Sequence, residues 1–119
     1  MSLDARMKML FDTLCVLARP AERQLDYLRS LFKGIPNFEG IPNIDELALE
    51  FDDCYQSTLE FRQVNPELFK VLDQLDAHFS SFSGRKYESL WTADALMSAP
   101  EWTRVRVLAK RCLNEMECP

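Results

Sequence analysis

Apolar residues recur every three or four positions along most of this chain, the spacing that puts them on one side of an α-helix. Leu3, Met7, Leu10, Leu14 and Leu17 form the first series, with Ser2 placed to cap it. Pro20 suits the first turn of a second helix, in which Leu25, Leu28, Leu31 and Phe32 supply the buried side and Gly34 a left-handed C-cap. A third helix is expected from Asn43, with Glu46 as its capping-box partner and Leu47, Phe51, Cys54, Tyr55 and Thr58 along one side. Asn65-Pro66-Glu67 opens a fourth, carrying Leu68, Leu72, Leu75, Phe79 and Phe82 as far as Gly84. Beyond the basic turn Arg85-Lys86, Tyr87 to Trp91 reads as one helical turn and Thr92 caps a short helix through Met97. Ser98 and Glu101 then box Pro100 to start a last helix with Trp102, Val105, Leu108, Ala109, Cys112 and Met116 on one side. Period-two alternation of useful length is absent, so no strand is expected. The pattern predicts an all-α fold, a single-domain bundle of five or six helices over residues 1–119.

The tetrapeptide Gly-Ile-Pro-Asn occurs twice between Gly34 and Asn43. Its residues have ordinary turn roles: the first Gly stops a helix, the last Asn starts one, and each Ile-Pro keeps the chain extended. A phosphate-cradling loop needs Gly followed by Lys and Ser or Thr, which Gly40 and its neighbours lack. Nucleotide binding is therefore not expected from this repeat.

With 119 residues there is room for one core, and 47% hydrophobic against 28% charged residues is the balance of an ordinary folded domain. Fourteen Lys and Arg against nineteen Asp and Glu give a formal charge of -5, which disfavours broad binding of nucleic acid and favours a basic partner. No stretch approaches the roughly 20 apolar residues of a membrane span. Met7 to Ala18 could imitate a signal peptide, but Asp12 breaks it, and no secretory leader is expected. Cys15, Cys54, Cys112 and Cys118 form no C-x-x-C or Cys/His cluster, so neither zinc nor another cofactor is expected. The first three fall on apolar stripes, where a thiol acts as a small hydrophobe. A reduced, cytoplasmic protein follows as the expectation.

His78 is the only histidine, at the edge of the Leu68 to Phe82 stripe, and no Ser or Cys nucleophile accompanies it in sequence. The acidic stretch Asp45 to Asp53 lacks the Glu-x-x-His pattern of di-iron bundles. Glu50 to Asp53 gives one carboxylate spacing of the kind helical nucleotide pyrophosphatases use for magnesium, without a second to answer it. Glu46, Glu50 and Asp53 also turn away from the Leu47, Phe51, Cys54 stripe and are expected to face solvent.

That acidic helix is the most informative feature. Gly34 to Phe61 contains no Lys or Arg but seven acidic residues, leaving 14 basic and 12 acidic residues elsewhere. Like charges at one-turn spacing repel by a few tenths of a kcal/mol per pair, so stability alone does not recommend the arrangement. Among the acids lies Leu49, about 160° from Phe51 on a helical wheel, between Asp45, Asp52, Asp53 and Gln56. An apolar residue ringed by carboxylates has the layout of a partner surface. The expected interface is Asp45, Glu46, Leu49, Glu50, Asp52, Asp53 and Gln56, unless the next helix or the Gly34 to Asn43 stretch folds over Leu49. Arg104, Arg106, Lys110 and Arg111 on the last helix carry the opposite sign. With no aromatic residues between them they read as a solvated face suited to the negative end of the helix dipole.

Leu90-Trp91-Thr92 through Leu96, then Trp102, Val105-Arg106, Leu108-Ala109 and Leu113, resembles the C-terminal signature of small helical immunity proteins of bacterial toxin systems, including those of contact-dependent growth inhibition. The resemblance spans residues 90–113 of 119, mostly apolar or helix-capping positions. It implies a cytoplasmic bacterial protein that neutralises a toxin domain by tight binding, and it carries over no catalytic residue. Nuclease toxins are often basic because they grip phosphates, which agrees with an acidic docking helix. A regulatory or adaptor bundle, and a metal-dependent helical nucleotide hydrolase, stay open beside it.

Overall fold

The computed structural model describes residues 3–31 and 43–116, and these residues are mostly helical with no strand among them. Six α-helices follow one another: α1 (Leu3–Leu17), α2 (Ala21–Leu31), α3 (Asp45–Thr58), α4 (Pro66–Ser81), α5 (Ala93–Ser98) and α6 (Pro100–Asn114). A 3₁₀ turn, Leu59–Phe61, extends α3, and a 3₁₀ segment, Arg85–Leu90, joins α4 to α5. Ser2, Phe32, the repeat from Gly34 to Pro42, and Cys118 lie outside the described residues.

The apolar stripes fix the packing. Leu10, Leu14 and Leu17 of α1, Leu47 and Phe51 of α3, Leu68, Leu72 and Leu75 of α4, and Trp102, Val105 and Leu108 of α6 are all buried in one core. Helix α1 packs against α3 and α6, while α4 packs against α6 and touches α3. These contacts close a ring of four in which α3 and α6 occupy opposite corners. Outside the ring, α2 rests on α1 and on α5, and α5 rests on α6.

Helix ends show where local chemistry decides and where packing overrides it. The Asn65 side chain accepts the Leu68 N–H at 3.2 Å, and Thr92 Oγ1 accepts the Ala95 N–H at 3.1 Å, as the sequence predicts. The two expected capping boxes do not form. Asn43 Oδ1 accepts the Asp45 N–H at 3.1 Å, and Ile44 takes the N-cap position of α3. At α6 the N-cap is Ala99 with no side-chain cap, and Ser98 Oγ donates to the Asp94 carbonyl of α5 at 2.8 Å instead. A missing cap costs about 1 kcal/mol. Pro100 at the first turn and the buried Trp102 outweigh it, because an aromatic of that size removes 150–250 Å² from water. Gly84, at φ +100°, turns the chain from α4 into the 3₁₀ segment, a conformation L side chains rarely adopt.

One polar relay runs through the apolar interior. Gln24 of α2 is 0% exposed. Its Nε2 donates to the Val16 and Leu17 carbonyls, at 3.2 and 3.0 Å, in the last turn of α1. Its Oε1 accepts from Arg106 Nη1 of α6 at 3.1 Å, and the same nitrogen donates to the Leu96 carbonyl of α5 at 3.2 Å. Arg106 is thus a part-buried cation held by neutral oxygens, and burial lowers its pKa from the ordinary arginine value. The sequence places it on a solvated face with Arg104, Lys110 and Arg111; those three are exposed, whereas Arg106 turns inward.

Replacing Gln24 with Leu leaves Arg106 Nη1 with the Leu96 carbonyl and takes the side-chain donor from two α1 carbonyls, of which Val16 keeps the Arg19 N–H, and should lower stability by about 2 kcal/mol. Adding Arg106→Met removes the part-buried charge that has lost its Gln24 acceptor and should restore part of that loss. Urea denaturation of the single and double variants measures both effects.

Candidate interaction surface

Helix α3 has two flanks and one outward strip. With Leu47, Phe51, Cys54, Tyr55 and Thr58 turned into the core, the helical period sends Asp45, Leu49, Asp52, Asp53 and Gln56 outward, and all five are exposed. Leu49 keeps 54% of its surface in solvent and is not covered by a neighbouring helix. Gln56 Nε2 donates to Asp52 at 3.4 Å. Four ion pairs form among the described residues, and none involves Asp45, Asp52 or Asp53.

Glu46 and Glu50 behave differently from the rest of the expected interface. Both are half-buried on the flank facing α2. Tyr27 of α2 donates its hydroxyl proton to the Glu50 carboxylate, with oxygens at 2.7 and 2.8 Å. Burial, that hydrogen bond and the Glu50 charge push the Tyr27 phenol above its ordinary pKa. Glu50 therefore serves the α2–α3 contact. Nothing in the α3 sequence signals this, because Tyr27 lies 23 residues away.

The opposite flank meets α4. Arg62 grips Asp73 through two hydrogen bonds of 2.6 and 3.0 Å, and the Tyr55 hydroxyl donates to the same carboxylate at 2.5 Å. Asp73 is held below the usual carboxylate range by Arg62 first and Tyr55 second, while Tyr55 is pushed up to about 12. Asp76, one turn further on, goes the other way. Burial raises it, and the charges of Asp52 and Asp73 raise it further. The negative field of α3 thus continues onto α4.

Leu49 also lines a groove of about 580 Å³ that sequence reading does not reveal. The α3 wall is Ile44, Asp45, Ala48 and Leu49, and the facing wall comes from residues 83–91, chiefly Arg85, Glu88 and Trp91. Trp91 is fixed there by a hydrogen bond and by ring contacts, one of them a stack on Phe79 at 6.4 Å. Its Nε1 donates to the Phe82 carbonyl at 2.8 Å, its ring stacks on Phe82 at 5.0 Å, and it meets Trp102 edge-on at 5.2 Å. Trp102 donates from Nε1 to the Leu90 carbonyl at 2.7 Å. The only sequence signal for this wall is Gly84 with the basic turn after it, and neither indicates that the turn faces α3.

His78 and the described cysteines have partners or burial of their own. His78 Nε2 lies 2.8 Å from the Glu101 carbonyl, an acceptor, so this nitrogen carries the proton, and the ring packs 5.2 Å from Phe82. The Cys54 sulfur lies 3.4 Å from Thr13 Oγ1. Burial pushes the Cys112 thiol up to about 12. Cys54 and Cys112 are free thiols. Among the described residues no group of three or more His, Cys, Asp or Glu is placed to hold a metal ion, and no helix is long and apolar enough to cross a membrane. No family model, no curated protein and no solved structure matches the chain.

The Asp52–Asp76 coupling has a sign that can be tested. Asp76 titrates higher in the fold than in the unfolded chain, so its contribution to stability is present below its unfolded pKa and is lost as pH rises through its folded pKa. Asp52→Asn should lower the Asp76 pKa in a carboxyl NMR titration and shrink that loss in urea melts taken between acidic and neutral pH.

Proposed function

We propose that this protein is a non-enzymatic binding protein, an immunity protein of a bacterial toxin system, which neutralises a basic toxin domain in the cytoplasm through the outward face of α3. The observation that carries this reading is Leu49, 54% exposed between carboxylates that no ion pair among the described residues neutralises. Packed like charges of this kind cost the free protein a few tenths of a kcal/mol per pair, and a cationic partner turns that cost into attraction. Such a field also speeds encounter with a basic partner and falls with added salt. A nuclease toxin fits, since the surface it uses to grip phosphates is itself basic.

The resemblance of residues 90–113 to immunity proteins supports the same reading. Its positions have structural duties here: Thr92 caps α5, Trp91 and Trp102 hold main-chain carbonyls, and Val105, Leu108 and Ala109 are buried. Recognition then falls to the α3 side, with Asp45, Leu49, Asp52, Asp53 and Gln56 as contacts and Glu46 and Glu50 as flanking charges braced by α2.

Pull-down from the native host with mass-spectrometric readout should return one basic polypeptide in near-stoichiometric amount. Reversing Asp52 and Asp53 to Lys should then slow association with that polypeptide by about tenfold or more at low salt. The circular dichroism spectrum should not change, and the urea stability should stay within about 0.5 kcal/mol, as for other surface substitutions. Unchanged association kinetics with the purified partner would remove α3 as the docking surface.

A further inference from the structure

We infer that the groove between α3 and the Arg85–Leu90 segment seats an apolar side chain of a protein partner, inserted between Leu49 and Trp91, on a segment whose flanking Lys or Arg meets Asp45 and Glu88. This rests on the proposed binding function and adds to it a second wall, supplied by residues that the α3 sequence does not contain.

The groove has an apolar interior and a charged rim. Ile44, Ala48, Leu49 and Trp91 are its apolar lining, and Asp45, Arg85 and Glu88 are its charged positions. None of these three charges belongs to an ion pair among the described residues. Two carboxylates against one guanidinium, with Asp52 and Asp53 further along α3, make the rim negative on balance. That sign repels a phosphate backbone and selects a cationic segment. The volume of about 580 Å³ admits a large apolar side chain with the stems of its neighbours, more than a lone ion requires.

The aromatic wall is already in its working position. Trp91 stacks on Phe82 with 23° between planes and stands at 83° to Trp102, and its indole N–H is engaged. A partner that touches Trp91 therefore loses little affinity to side-chain ordering on this side. Arg85 supplies polarity, because an occupant must set its cation toward Asp45 and Glu88 and a carbonyl or carboxylate toward Arg85.

The test uses the full chain and three amidated helical probe peptides. One carries Leu and Lys at one-turn spacing, one has Ser in place of Leu, and one has Glu in place of Lys. The Leu/Lys peptide should give a saturable change in tryptophan emission at low salt, with amide NMR shifts grouped at Asp45, Leu49, Arg85 and Trp91. Leu49→Asp should weaken it about tenfold, as loss of a central anchor does, and Glu88→Lys should weaken it while leaving the fold intact. No saturable response would overturn the inference. Equal binding of the Ser/Lys peptide would also overturn it, since that is counterion attraction without an apolar seat. If the groove fails while Asp52→Lys/Asp53→Lys still slows the basic partner, the α3 surface stands without the groove. If the groove binds its peptide and no basic partner is found, only the immunity reading falls.

Discussion

The relay from the α1 carbonyls through Gln24 to Arg106 and the α5 carbonyl is the constraint on which the arrangement of this bundle depends. Apolar stripes are enough to close α1, α3, α4 and α6 into a ring, because hydrophobic burial is strong and non-directional. They do not say where α2 and α5 must sit outside it. Hydrogen bonds are directional, and those buried among apolar groups are costly to leave unmade. One amide with both ends engaged fixes α2 against the end of α1 and links it to α6, while Arg106 adds the end of α5. Carbonyls near the C-terminal ends of two helices, α1 and α5, accept from the same two side chains.

Placement of α2 then shapes the outward side of α3. Tyr27 projects from α2 onto Glu50 and seals one flank of α3. Tyr55, Arg62 and Asp73 close the other flank against α4. What stays open is a strip a few side chains wide, with Leu49 at its centre and, around it, carboxylates that no ion pair among the described residues neutralises. The acidic surface is therefore narrower than its charge count suggests, since part of the charge braces the helix that presents the rest.

Helix existence, the outward direction of Leu49 and the inward faces were legible because each follows from a period within one element; the exception is Leu31, expected on the buried side of α2 but 40% exposed in its last turn. The caps at Asn65 and Thr92 were legible for the same reason. Asn43 and Ser98 were misread because a neighbour offered a competing bond, the Asp45 N–H in one case and the Asp94 carbonyl in the other. Glu50 and Arg106 were misread on larger grounds. Their partners lie 23 and 82 residues away, so a wheel drawn for α3 or α6 alone shows a solvated charge where the fold supplies a hydrogen bond. The groove belongs to the same class, since it exists only where two segments distant in sequence meet.

The wall formed by residues 83–91 has a property that bears on how such a surface evolves. Trp91 and Trp102 hold it through the main-chain carbonyls of Phe82 and Leu90, and Gly84 sets its direction through backbone conformation. The exposed side chains of Arg85, Glu88 and Ser89 take no part in those bonds. Their identities can drift while the backbone beneath them keeps its path. A scaffold that grips its own main chain in this way separates foldability from surface chemistry, so the exposed residues can be rewritten one at a time without loss of the fold.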